Sequence, residues 1–135
     1  MAQAGQNTPL AGYPQPFGSK LRLLVDHTGP ASYSNVTTSS GAGDVVHNTD
    51  VGMGGFETFS ITWQGFSASG NYTVRVFTGT STTSIVNTAP FPGNAVTSVI
   101  LVWYTNSTPF QSTNTETANA TNLSGETVRM DIFGV

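Results

Sequence analysis

Apolar residues recur at every second position in several short runs, separated by clusters of Gly, Pro, Ser, Thr and Asn. A period of two is the signature of a strand with one buried face. Lys20–Asp26 places Leu21, Leu23 and Val25 on one face, and His27-Thr-Gly-Pro30 stops it. A loop rich in Ser, Thr and Gly (34–43) leads to a short strand over Asp44–Asn48, and Gly52-Met-Gly-Gly55 interrupts again. Phe56–Trp63 aligns Phe59, Ile61 and Trp63 inward, and Asn71–Thr78 aligns Tyr72, Val74 and Val76. Joined by the Gly/Ser-rich residues 65–70, these two runs predict a hairpin with a long loop. Thr82–Asn87 reads as a minor strand, closed by Ala89-Pro-Phe-Pro-Gly93. Val96–Thr105 is apolar on both faces, which predicts a central strand covered from both sides. Beyond a Thr/Asn-rich stretch (106–125), Glu126–Val135 closes the chain with Val128, Met130 and Ile132 inward and Arg129 and Asp131 outward.

Seven or eight such strands are enough for an all-β fold, a two-sheet β-sandwich of jelly-roll or immunoglobulin-like topology. Residues 20–135 form its single domain. Residues 1–19 read as an extended Pro/Gly-rich arm, because Pro9, Pro14 and Pro16 with Gly5, Gly12 and Gly18 oppose helix and central strand alike. Leu10, Tyr13 and Phe17 are apolar residues that a solvated tail has no use for. Two pictures follow: a partly disordered terminus, or an arm laid across a neighbouring subunit with those three side chains as anchors. In the second picture the arm can be removed without unfolding the domain.

Composition sharpens this reading. Thr, Ser and Asn together make 45 of the 135 residues, whereas charged residues make 8%, against roughly 25% in an ordinary soluble protein. Helix is disfavoured by the same residues, which are poor helix formers. A net charge of −3 beside eight Phe, four Tyr and two Trp does not describe a chain disordered through charge. Four Lys and Arg cannot build a nucleic-acid-binding patch. The longest apolar run, Val99–Tyr104, is far short of the ~20 residues of a membrane helix. Met1–Pro9 has neither the basic nor the apolar region of a signal peptide, so the chain reads as mature or cytosolically made and soluble, with no membrane partner expected. Five Asn-x-Ser/Thr sequons, at Asn35, Asn71, Asn106, Asn119 and Asn122, follow from the Ser/Thr content.

Catalytic chemistry finds few candidates. There is no cysteine, and only His27 and His47 can act as an imidazole base. Gly65-Phe-Ser-Ala-Ser-Gly70 has one residue too many for a nucleophile elbow and lies in a loop. Asp44, Asn48 and Asp50 beside His47 are the densest oxygen donors, but they lack calcium-loop spacing and read as turn-pinning residues. His27 reads as a residue closing the turn after its strand. Gly52–Gly55 lacks the setting of a phosphate loop. Trp63, Tyr72, Trp103 and Tyr104 are the aromatics that a sugar platform would need; three of them fall on inward faces, which leaves Tyr104 as the one to watch. No enzyme, metal or cofactor is expected. A surface with little charge suits a protein that lives in a permanent assembly.

Two stretches resemble the small structural proteins of tailed-bacteriophage heads: Thr28-Gly-Pro-Ala-Ser-Tyr33 followed by Gly41-Ala-Gly-Asp44-Val-Val46, and Leu123-Ser-Gly-Glu-Thr-Val-Arg-Met-Asp-Ile-Phe-Gly134. The resemblance implies a capsid cement or decoration protein, made in the host cytoplasm and bound outside the head to the major capsid protein. It also implies a homo-oligomer, a trimer before a dimer. The rival expectation from the residues is a carbohydrate-binding or lectin-like β-sandwich, to be recognised by an accessible set of aromatics.

Overall fold

A computed structural model describes residues 5–37, 42–78, 96–111 and 115–135. Eight strands are present among them: β1 (Gln6–Pro9), β2 (Gln15–Phe17), β3 (Lys20–Thr28), β4 (Asp44–His47), β5 (Phe56–Ile61), β6 (Tyr72–Phe77), β7 (Ser98–Thr105) and β8 (Thr127–Gly134). They form two antiparallel sheets, one ordered β1-β3-β8-β5 with β2 also on β3, the other ordered β4-β7-β6. The protein is an all-β two-sheet sandwich. The expected minor strand at 82–87 lies outside the described residues.

The period-two faces meet between the sheets. Leu23, Val25, Phe59, Met130 and Ile132 come from the larger sheet, and Val46, Val74, Val99, Leu101 and Trp103 from the smaller. Each such side chain contributes roughly 1.5–3 kcal/mol when fully buried. Strand β7 is the middle strand of its sheet, and Val99 to Trp103 are buried on both faces, as its unbroken apolar run predicts.

Three features depart from the sequence reading. The expected hairpin of 56–63 with 71–78 does not form. Instead β5 pairs with β8 and β6 with β7, so the connection between them crosses from one sheet to the other. The cause is local: Trp63 and Gln64 both take left-handed backbone at φ 58°, turning the chain out of its sheet two residues after β5 ends. Trp63 therefore leaves the inward row and is 80% exposed.

The arm is the second departure. β1 and β2 both lie antiparallel along the outer edge of β3, and Leu10 N–H donates to the Leu24 carbonyl at 2.9 Å. The prolines fit this edge, where a missing N–H costs no ladder bond. Tyr13 packs against the core, Leu10 is half-buried, and Phe17 is 53% exposed with its ring 6.2 Å from that of Phe133.

Third, β3 does not stop at Asp26. It runs to Thr28, and His27 continues the inward alternation of Leu23 and Val25 into the core.

Candidate functional site

Among the described residues, two places bring chemistry-bearing side chains together, and they differ in access. The first is buried. His27 and Asp44 are no more than 1% exposed, with His27 Nε2 2.5 Å from Asp44 Oδ2. The second imidazole nitrogen, Nδ1, lies 2.8 Å from Asn7 Oδ1. Trp103 Nε1 donates to the same Asp44 oxygen at 3.1 Å, and Gly5 N–H donates to the other at 3.4 Å. An imidazole beside a carboxylate is half of a triad, but both ring nitrogens are committed and the pair faces no solvent. Its effect is to tie β1, β3, β4 and β7 together through otherwise costly buried polar groups.

The other expected oxygen donors separate. Asp50 accepts from His47 N–H at 2.8 Å, and Asn48 donates to the carbonyls of Met53 and Gly54. Each pins the 3₁₀ turn at Asn48–Val51, while Asp44 turns inward.

Behind this pair, Tyr33 donates to Glu116 Oε2 at 2.6 Å and accepts from Trp103 N–H at 3.1 Å. Burial first, and the Glu116 carboxylate second, hold its phenol protonated far above the usual tyrosine range. Glu116 also accepts from Val36 N–H and Thr37 N–H, so one carboxylate fixes the whole 33–37 turn.

The second place is open to solvent. A groove of about 690 Å³ lies where residues 63–68 cross β8, with Phe110 on its rim and Asp26 and Arg129 beside it. The crossing loop is anchored at both ends: Thr62 N–H donates to the Arg129 carbonyl and Ala68 N–H to the Thr127 carbonyl, each at 2.9 Å. Gly65, at φ 87°, permits the turn; a Cβ there would meet the Val74 carbonyl oxygen at 2.6 Å. Phe110 lies flat on Gly70, where a Cβ would stand 2.8 Å from the ring, and packs edge-on against Phe66 at 5.6 Å. Arg129 and Asp26 form a two-pronged pair, Nε to Oδ1 at 2.8 Å and Nη2 to Oδ2 at 3.1 Å. The Asp26 hydrogen bond raises the Arg129 guanidinium further above its ordinary range.

Three of the four described non-glycine residues with positive φ (Trp63, Gln64 and Phe110) line this groove. Left-handed backbone costs roughly 1–2 kcal/mol for each such residue. Here that strain holds two rings in water, with Trp63 80% and Phe110 58% exposed. The Trp63–Gln64 turn serves the crossing between sheets and Phe110 packs on Gly70 and Phe66, yet neither role requires the rings to stand in solvent, and ligand sites commonly store such strain.

The aromatic set differs from the expected one. Trp103 is in the core, with Tyr72 edge-on to it at 6.1 Å. Tyr104 is half-buried beneath the Arg75 guanidinium, 5.2 Å from the ring centroid. Trp63, counted inward from its alternation, is the exposed one, and Phe110 joins it. The signal for Phe110 was present as a large apolar residue isolated in a polar loop after Pro109. Comparison with protein-family models, curated proteins and solved structures found no match.

Proposed function

We propose that this chain is a virion structural protein, a cement or decoration subunit that binds the outer surface of the major capsid protein and stabilises an icosahedral head. The observation that carries this reading is the meeting of the two head-protein-like stretches. They are some ninety residues apart in sequence, yet they interlock. Gly29 N–H donates to the Glu126 carbonyl at 3.0 Å and Leu123 N–H to the Pro30 carbonyl at 2.8 Å. Leu123 sits so close to Gly29 that a Cβ there would lie 2.6 Å from its own. Asp44, from the same first stretch, completes the buried pair with His27. A resemblance carried by two stretches that build one structural unit is stronger than either stretch alone.

The surface supports the same reading. Lys20 pairs with Glu57, Arg22 with Asp131 and Arg129 with Asp26, while Arg75 lies over Tyr104. Three of the four Lys and Arg side chains are thus paired with carboxylates within the chain and the fourth is held against a ring, which leaves shape and apolar contact the larger part in making an interface.

Of the three expected anchors, Phe17 is the one presented outward. Attachment then rests on Phe17 and the β2 edge, multiplied by a homo-oligomer, with a trimer favoured over a dimer. Replacement of Phe17 by Ser is expected to weaken co-sedimentation with undecorated heads at least tenfold while leaving thermal unfolding unchanged. Undiminished co-sedimentation of that variant would remove Phe17 from the interface.

A further inference from the structure

We propose that the groove between Trp63 and Phe110 binds an uncharged oligosaccharide, with the C–H face of a pyranose ring on Trp63 and its hydroxyls on the Asp26–Arg129 pair. This site is independent of shell attachment and lies apart from Phe17.

A pyranose is amphipathic. One face is a patch of C–H bonds, and its rim is a ring of hydroxyls that both donate and accept. A matching site needs a flat aromatic surface in water, a fixed acceptor and a fixed multiple donor within one depression. The groove supplies all three. The Trp63 indole is 80% exposed and is carried by a loop whose backbone is anchored at both ends. The Asp26 carboxylate and the Arg129 guanidinium hold each other in place, so neither must be ordered on binding, and both are partly exposed, with side-chain accessibilities of 36% and 43%.

Charge selects among ligands. Among the described residues, the charged groups lining the groove are this one carboxylate and this one guanidinium, which balance each other. Anionic sugars, phosphates and cationic peptides therefore find no complementary field, whereas a neutral glycan needs none. An apolar protein segment would use the rings but leave the paired carboxylate and guanidinium partly dehydrated without new partners, which is costly.

Tryptophan fluorescence reports the site directly, because Trp103 is buried and Trp63 supplies the solvent-exposed emission. The intact protein is screened on an array of neutral and acidic glycans, and titration with the best neutral oligosaccharide follows the emission. The expected result is a saturable blue shift that is insensitive to salt between 50 and 500 mM. Trp63→Ala should abolish the shift and lower array binding at least tenfold. Arg129→Gln should weaken binding tenfold or more while Trp63 remains exposed. Three results would overturn the proposal: no neutral glycan bound at millimolar concentration, binding of acidic glycans only, or neutral-glycan binding unaffected by Trp63→Ala. If Trp63→Ala abolishes head binding and no glycan is bound, the groove belongs to a protein partner instead.

Discussion

Trp63 is 80% exposed and Leu123 fully buried, so truncating each to alanine separates what the two positions do. Leu123→Ala should cost about 2–5 kcal/mol, since it removes a fully buried isobutyl group from the core and leaves a cavity. Trp63→Ala should change stability by no more than about 0.5 kcal/mol, because the ring contributes little to the core. Urea unfolding measures both. A large loss at Trp63 would make it a packing residue and remove the reason to assign it a ligand. Tyr33 yields a pH dependence. Its folded pKa lies above the unfolded value near 10, so the folded state keeps a proton that the unfolded chain releases. Stability is therefore complete below pH 10 and falls above it, by about 1.4 kcal/mol per pH unit for one proton. Tyr33→Phe should be less stable at neutral pH, having lost one buried and one partly buried hydrogen bond, yet show a shallower alkaline decline. Denaturation at pH 8, 10 and 11 checks the slope. Some of this residue chemistry was legible in the sequence. The inward phase of His27 follows from Leu21, Leu23 and Val25, although its type argued for a turn. The exposure of Trp63 did not follow, because the alternation of Phe59 and Ile61 carries no sign that the strand ends at Ile61.

At the scale of elements, the sequence marks strands better than it marks their partners. The period-two runs at 20–26 and 126–135 became β3 and β8, and the run at 96–105, apolar on both faces, became β7. Pairing between β5 and β6 was misread because a Gly/Ser-rich loop serves a hairpin and a crossover equally well. Backbone angle at Trp63 and Gln64 makes the difference, and neither residue type announces a left-handed conformation. The arm was misread in a related way. Proline and glycine exclude a central strand but not an edge strand, and β1 and β2 occupy an edge of the larger sheet, where both are tolerated. The consequence is testable. Deleting residues 1–17 removes both edge strands, the Asn7 contact to His27 and the Gly5 bond to Asp44. The deleted protein should lose at least about 2 kcal/mol, the cost of leaving buried polar groups unsatisfied. An unchanged melting temperature would show instead that the arm is dispensable to the fold.

Across the whole molecule, the low charge of the chain acquires a structural meaning. Three of its four cations sit in cross-strand ion pairs on the larger sheet, and the fourth lies over an aromatic ring. Exposed pairs of this kind add little stability, so their effect is to cancel the field around the surface. Polar, sparsely charged loops and faces remain, and among the described residues the exposed rings are Phe17 at the β2 edge and Trp63 and Phe110 at the groove. An assembly subunit needs the first, and a glycan reader the other two. Saturation binding to undecorated heads tests the central claim most directly. On the proposed reading, undecorated bacteriophage heads are titrated with the purified protein, and bound copies per head are counted after sedimentation. The account predicts a plateau at a fixed copy number set by the symmetry of the shell, with attached protein on the outer surface and heads more resistant to heat. Binding that never saturates, or no binding at all by a protein that remains monomeric, would contradict it.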